Sequence, residues 1–325
     1  MTMGALDVHS HVVPEFVYDI LERGTGEYGI AGSPEHLDSA AGRLPLQYPE
    51  LRTPAAKLAA MDERRLAASV VSLTPHLFVY ADEDDPVGFA RRANDEIARF
   101  ADASSRLHGL ATVPLGAPGA AAAELRRAVR ERGLRGAIIG TGLSSDRPLD
   151  AIGLDPLFQA AVELDVPLFV HPFYCGLVRE PDLFLHNSLG VPFDTAWAVA
   201  RLMASGVFDR HPGLRLLLPH GGGALPVVLG RLDNAWRRRA ELRERSALPP
   251  SGYLDRLWFD SVVHSAPVLR LLADLAGGDR VLLGTDAPYL TGDPRPAESL
   301  DAAGLDVERA ARAARLLFGL EEVAA

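Results

Sequence analysis

Eight short apolar runs recur along the chain, and they limit its fold more than any other feature. They are ALDVH (5–9), ASVVSL (68–73), LHGLATV (107–113), RGAIIGT (135–141), VPLFVH (166–171), LRLLLPH (214–220), LWFDSVV (257–263) and RVLLGTD (280–286). Apolar runs without clean alternation suit parallel strands covered on both faces. Between them lie Ala-, Leu- and Arg-rich stretches of helical character at 87–103, 120–132, 155–164, 195–205, 225–245 and 267–276. Eight strand-then-helix units in about 280 residues predict an α/β chain folded as a distorted (β/α)8 TIM barrel. We read 1–325 as one domain, with the Gly- and Pro-rich stretch 24–54 inserted after the first strand and lying over the barrel mouth. A doubly wound open sheet is the alternative. No G-x-G-x-x-G follows the first run, which weakens its dinucleotide-binding version.

Charge and cysteine content remove several partners. The chain carries 33 basic and 43 acidic residues, a net charge of −10, which disfavours non-specific binding to nucleic acid or an anionic membrane. An anionic substrate must then meet local positive charge, from arginines or a metal. Cys175 is the only cysteine, which excludes an intrachain disulfide and a multi-cysteine metal site and fits a reducing cytoplasm. No run reaches the roughly 18 apolar residues of a membrane span, and no signal-peptide pattern opens the sequence. The run RRRAELRER (237–245) reads as a solvated helix face, partly neutralised by Glu241 and Glu244. Lys57 is the only lysine.

In a barrel, chemistry gathers at the carboxyl ends of the strands. Read in order, those ends carry His9 and His11, then His171, His220 and Asp286. With 10 histidines in the chain, a His-x-His pair arises by chance roughly 0.3 times, so His9 and His11 alone decide nothing. Five such residues at four strand ends are a stronger signal. Three or four imidazoles with one carboxylate suit Zn²⁺ or another first-row divalent ion, with a position left for water. The fourth run has no lysine and Lys57 precedes the second, so a pair of ions bridged by a carbamylated lysine is excluded. One metal is expected, which frees one histidine for acid–base work. Asp7 shares the strand face of His9 and reads as a packing or ligand-supporting residue. Asp260 and His264 are candidates to support a ligand by hydrogen bonding, and His76 and His264 could line the pocket. His36, His186 and His211 read as exposed loop residues, and His108 sits at the wrong end of its strand.

The pieces DVHSHVVPE, LFVHPF, GVFDRHPGLRLLLPHGGGALPVVLGR and RVLLGTDAPY resemble the amidohydrolase superfamily. More narrowly, they resemble the branch of α-amino-β-carboxymuconate-ε-semialdehyde decarboxylase and related nonoxidative aromatic acid decarboxylases. The likeness runs over residues 5–320. It implies that His9, His11, His171 and Asp286 are the metal ligands, with zinc usual and manganese found in some relatives. It implies that His220 is the acid–base residue beside the metal-bound water. Arg231 matches an arginine that crosses from the neighbouring subunit to hold a substrate carboxylate, which implies a homodimer. It lies about three helical turns past His220, too far along to bend back into its own site. Arg43 is the nearest match to a second carboxylate-binding arginine, with Arg52 behind it. Asn187 stands where the muconate decarboxylase has an aromatic residue, and Ala287 where the family more often has one. The implied activity is nonoxidative decarboxylation of an aromatic or muconate-like carboxylic acid. Hydrolysis of a lactone or amide, or hydration of an unsaturated acid, is the alternative on the same site. A non-catalytic metal- or ligand-binding barrel is the third reading, and His220 argues against it.

Overall fold

The computed structural model describes residues 4–39, 42–80, 84–144, 146–173 and 182–320; Cys175 lies outside them. Eight parallel strands form the barrel wall: β1 (Leu6–Val12), β2 (Ala68–Leu73), β3 (Leu107–Gly109, resuming at Ala111–Thr112), β4 (Ala137–Gly140), β5 (Leu168–His171), β6 (Leu216–Leu218), β7 (Leu257–Asp260) and β8 (Val281–Leu282). They pair in chain order, β1 to β3 in one ladder and β3 to β8 in another. β3 changes partner at Leu110: the Leu110 amide donates to Val71 and the Ala111 amide to Gly136. The barrel closes where the amide of Val8 donates to Leu283 (2.9 Å), that of Asp286 to His9 (2.7 Å) and that of His11 to Ala287 (2.9 Å). Every residue of β1 and β2 is buried, as strands covered on both faces require.

The outer helices start and stop on local chemistry. Pro54, Pro86 and Pro118 open three of them, where a missing amide costs nothing. Thr53 and Asp85 cap two by accepting from the amides of Ala56 and Gly88. The helix expected over 225–245 instead ends at Arg238 and resumes as Ala240–Arg243. The Arg243 guanidinium folds back onto the carbonyls of Trp236 and Arg237, which satisfies the helix end there. The insertion is not structureless. Ala31–Ser33, His36–Ser39 and Gly42–Pro45 form an antiparallel sheet that packs on the Pro75–Leu77 turn at the carboxyl end of β2. No helix among the described residues is long and apolar enough to cross a membrane.

Candidate metal centre

The register of β1 against β2 slips between Asp7 and Ser10, so three steps on β1 face two on β2. That bulge separates Asp7 from the two histidines beyond it. The Asp7 carboxylate accepts from the amides of His9 and Thr285 (both 3.0 Å) and from the hydroxyls of Thr285 (2.7 Å) and Ser69 (3.3 Å). It stitches β1 to its neighbours on both sides, and burial pushes its pKa up to about 6.

Three histidines of the cluster, His9, His11 and His171, turn Nδ1 toward an acceptor. His9 Nδ1 meets Asp260 Oδ2 at 2.6 Å, His11 Nδ1 meets the Leu73 carbonyl at 3.3 Å, and His171 Nδ1 meets the Pro172 carbonyl at 3.2 Å. Their Nε2 atoms are thereby left to face inward. His9 Nε2 and His11 Nε2 lie 3.1 Å apart, and Asp286 Oδ1 lies 3.1 and 3.2 Å from them. The His171 ring sits 5.2 Å from both, and its buried Nε2 has no hydrogen-bond partner. On the other side, His220 Nε2 lies 3.5 Å from Asp286 Oδ2. One donor atom from each of His9, His171, His220 and Asp286 falls within 4.8 Å of the others.

These residues fit a divalent cation. Imidazoles bonded through Nδ1–H point lone pairs at one another, an arrangement that repels unless a proton or a cation lies between. Atoms held roughly 2.1 Å from one tetrahedral ion lie about 3.4 Å apart. The 3.1–3.2 Å contacts here are close to that spacing. Burial pushes the His9 pKa down, but the Asp286 charge and the hydrogen bonds that its ring donates to Asp260 and Asp286 lift it to about 10. Burial takes His11 down to about 4 and His171 well below the usual imidazole range. Burial would raise Asp286, yet the His9 charge and hydrogen bonds from three histidines hold it well below the carboxylate range.

His220 follows β6 with φ +54 and begins a left-handed run through Gly221, Gly222 and Gly223. A side chain at Gly223 would put its Cβ 2.0 Å from the Pro192 carbonyl oxygen, which accounts for the glycines of the HGGG motif. Asp286 is also left-handed, at φ +55. Backbone strain of this kind concentrates at functional sites. Asp260 ties the two halves together: its Oδ2 holds His9 while its Oδ1 accepts from the amide of Gly221 at 2.9 Å.

Tyr289 covers the cluster, its ring 5.0 Å from that of His11 and its hydroxyl bonded to Thr74. Thr74 also bonds His76 Nδ1 at 3.2 Å, and burial pushes His76 down to about 4. Ala287 stands where the resemblance leads one to look for an aromatic residue, and the structure supplies one two positions on, in Tyr289. Other expected residues are not brought to the cluster. His264 is exposed and bonds the Thr291 carbonyl at 2.8 Å. Arg43 is exposed and pairs with Asp38 at 2.7 Å, while Arg52 pairs with Glu15 at 2.9 Å. Asn187 is half-buried in the His186–Gly190 turn. Arg231 is exposed and has no ion pair among the described residues. His211, read as exposed, is buried and bonds Asp155 at 2.7 Å.

Comparison with known proteins matches residues 6–317 to the amidohydrolase family. The chain belongs to that family. Its relatives place this amidohydrolase in the decarboxylase branch. Gamma-resorcylate decarboxylase of Rhodococcus jostii is 33% identical over 314 residues, covering 84% of this chain and 90% of its own. The 2-amino-3-carboxymuconate-6-semialdehyde decarboxylase of Dictyostelium discoideum is 29% identical over 310 residues, covering 91% and 85%. A solved 5-carboxyvanillate decarboxylase from Novosphingobium aromaticivorans, with bound manganese, is 26% identical with a TM-score of 0.77 and 97% coverage of both chains.

Proposed function

We propose that this amidohydrolase is a metal-dependent, nonoxidative decarboxylase of an aromatic or muconate-like carboxylic acid, a carbon–carbon lyase. The observation that carries the reading is the inward set of His9, His11 and His171 Nε2 with Asp286, and His220 beside it. His9, His11, His171 and Asp286 would hold one divalent ion. The imidazole-rich donor set favours Zn²⁺, and the manganese in the carboxyvanillate enzyme makes Mn²⁺ the alternative. When bound, the ion supplies Lewis-acid polarisation of an oxygen substituent on the substrate.

His220 is the acid–base residue. As the bond between the ring carbon and the carboxylate breaks, its electron pair stays on the carbon and CO₂ leaves. The His220 imidazole delivers the proton that the carbon takes up, then regains one from solvent. Asp260 fixes the geometry by holding His9 and the turn after His220 with one carboxylate. Arg231 would reach the active site of a second copy and hold a substrate carboxylate there. Its exposure supports this, as do the exposed Phe193, Trp197 and Val227 on its own helix and the adjacent one. Arg43 would join it only after leaving Asp38. One cysteine and the acidic surface make the cytoplasm the compartment we propose.

The test is release of labelled CO₂ from a panel of ¹³C-carboxyl aromatic and muconic acids, with Zn²⁺- or Mn²⁺-loaded protein and a metal-stripped control. Metal-dependent release is expected. Opening of a lactone, or hydration of an unsaturated acid, without CO₂ would overturn the decarboxylase reading.

A further inference from the structure

We infer that Lys57 is a positioning residue for the metal site, its amine holding the backbone carbonyl of His11 so that this imidazole keeps register with His9 and Asp286. This role rests on the metal-site reading above. Lys57 stands in the first turn of the helix Pro54–Glu63 and is fully buried. Its Nζ donates to the His11 carbonyl at 3.0 Å and lies 3.5 Å from Glu50 Oε2. Glu50 is itself buried and is held by both arms of Arg64, at 2.8 and 2.9 Å. The turn Pro49–Leu51 that carries Glu50 also takes the Val13 amide, through the Leu51 carbonyl at 2.8 Å. One corner of the molecule thus holds the end of β1 by two hydrogen bonds, on either side of Val12.

The choice of an amine needs a cause. Burying an ammonium group is costly, and a methionine of similar length would fill the space with no such cost. Burial pushes this amine below the usual lysine range, with Glu50 opposing, and it donates a hydrogen bond whether charged or neutral. What the amine reaches is the carbonyl of His11. The His11 amide meanwhile donates to Ala287 across the barrel seam. The His11 peptide groups are therefore fixed on both sides, while the outward Nδ1 of its ring has only 3.3 Å contacts to the Leu73 carbonyl and the Ser72 hydroxyl. Removing the grip leaves the bulged strand free to carry the ring out of line.

The test compares wild type with Lys57→Met by competition for Zn²⁺ and Mn²⁺ against a chromophoric chelator, with unfolding followed in parallel. Partners that orient a metal ligand typically change metal affinity 10–100-fold when removed, and a weakening of that order is expected for Lys57→Met. Asn94→Ala is the control. It strips two buried hydrogen bonds to Thr112 on the outer side of β3, and should lose stability without losing metal affinity. If Lys57→Met does not fold, Glu50→Gln takes its place, with a smaller loss in the same direction. Unchanged or tighter binding in the folded variant overturns the role of Lys57. A wild type that binds neither ion overturns the metal site itself, and that result is read before any variant is made.

Discussion

Asp260 and His9 are 251 residues apart in sequence and 2.6 Å apart in space. Contacts of this kind separate what a sequence shows from what it hides. His9, His11, His171, His220 and Asp286 were legible because each closes or follows an apolar run, and barrel strands aim such residues at one end. Tyr289 and Thr74 were not, because a ring or hydroxyl at a strand end has many ordinary reasons to be there. Arg43 was matched by residue type, whereas in the chain the nearby Asp38 holds it. The proposed roles separate under mutation. His220→Ala should retain the metal and lose about 10²–10⁴-fold in turnover, whereas Asp286→Ala should lose the metal itself. Metal content and single-turnover CO₂ release, measured side by side, check both. His108 offers a separate reading of acid stability. Burial, with Arg135 and Arg315, lowers it to about 4 from 6.5. The unfolded chain then binds this proton more readily, so the His108 contribution is complete above pH 6.5 and is lost as pH falls toward 4. His108→Gln should flatten the fall in urea stability across that window and leave turnover unchanged.

At the level of elements, apolar runs located all eight strands but overran most of their ends. Of the run 280–286, Val281 and Leu282 pair with β7, while Leu283 and Asp286 bond across the seam to β1 and Asp286 turns to φ +55. The bulge in β1 leaves no mark in composition. The antiparallel sheet in the insertion escaped notice because its strands are three or four residues long and show no apolar period. Two left-handed glycines give contrasting tests of the turns. Gly223→Ala drives a Cβ into the Pro192 carbonyl and should cost about 2–4 kcal/mol. Gly24 ends the helix Glu15–Arg23 at φ +61 with open space around it, so Gly24→Ala should cost about 1 kcal/mol. Urea midpoints of the two variants measure the difference.

Across the whole molecule, the donor set straddles the seam where the barrel closes, since His9 and His11 lie on β1 and Asp286 follows β8. An ion held there fastens the first strand to the last. Binding to the folded state alone stabilises by mass action, about 2.7 kcal/mol at a free-ion concentration of 100 Kd. For a chain of 325 residues that corresponds to a rise in Tm of about 4 °C. Calorimetry of chelator-treated and reloaded protein should show it. A Tm that ignores the ion would mean that the cluster binds none, or binds it equally in the unfolded chain.

The placement of Lys57 reaches beyond the metal. With the only lysine sealed between its helix and the end of the first strand, the folded surface presents no lysine amine to solvent. Reagents and enzymes that acylate or glycate lysine side chains find no lysine on it until the fold opens. Trypsin is left with arginine alone. Histidines aside, the side-chain positive charge on that surface is guanidinium, which does not titrate in any ordinary buffer. Modification mapped to Lys57 therefore reports on one event in this protein, the opening of the corner that holds the first strand.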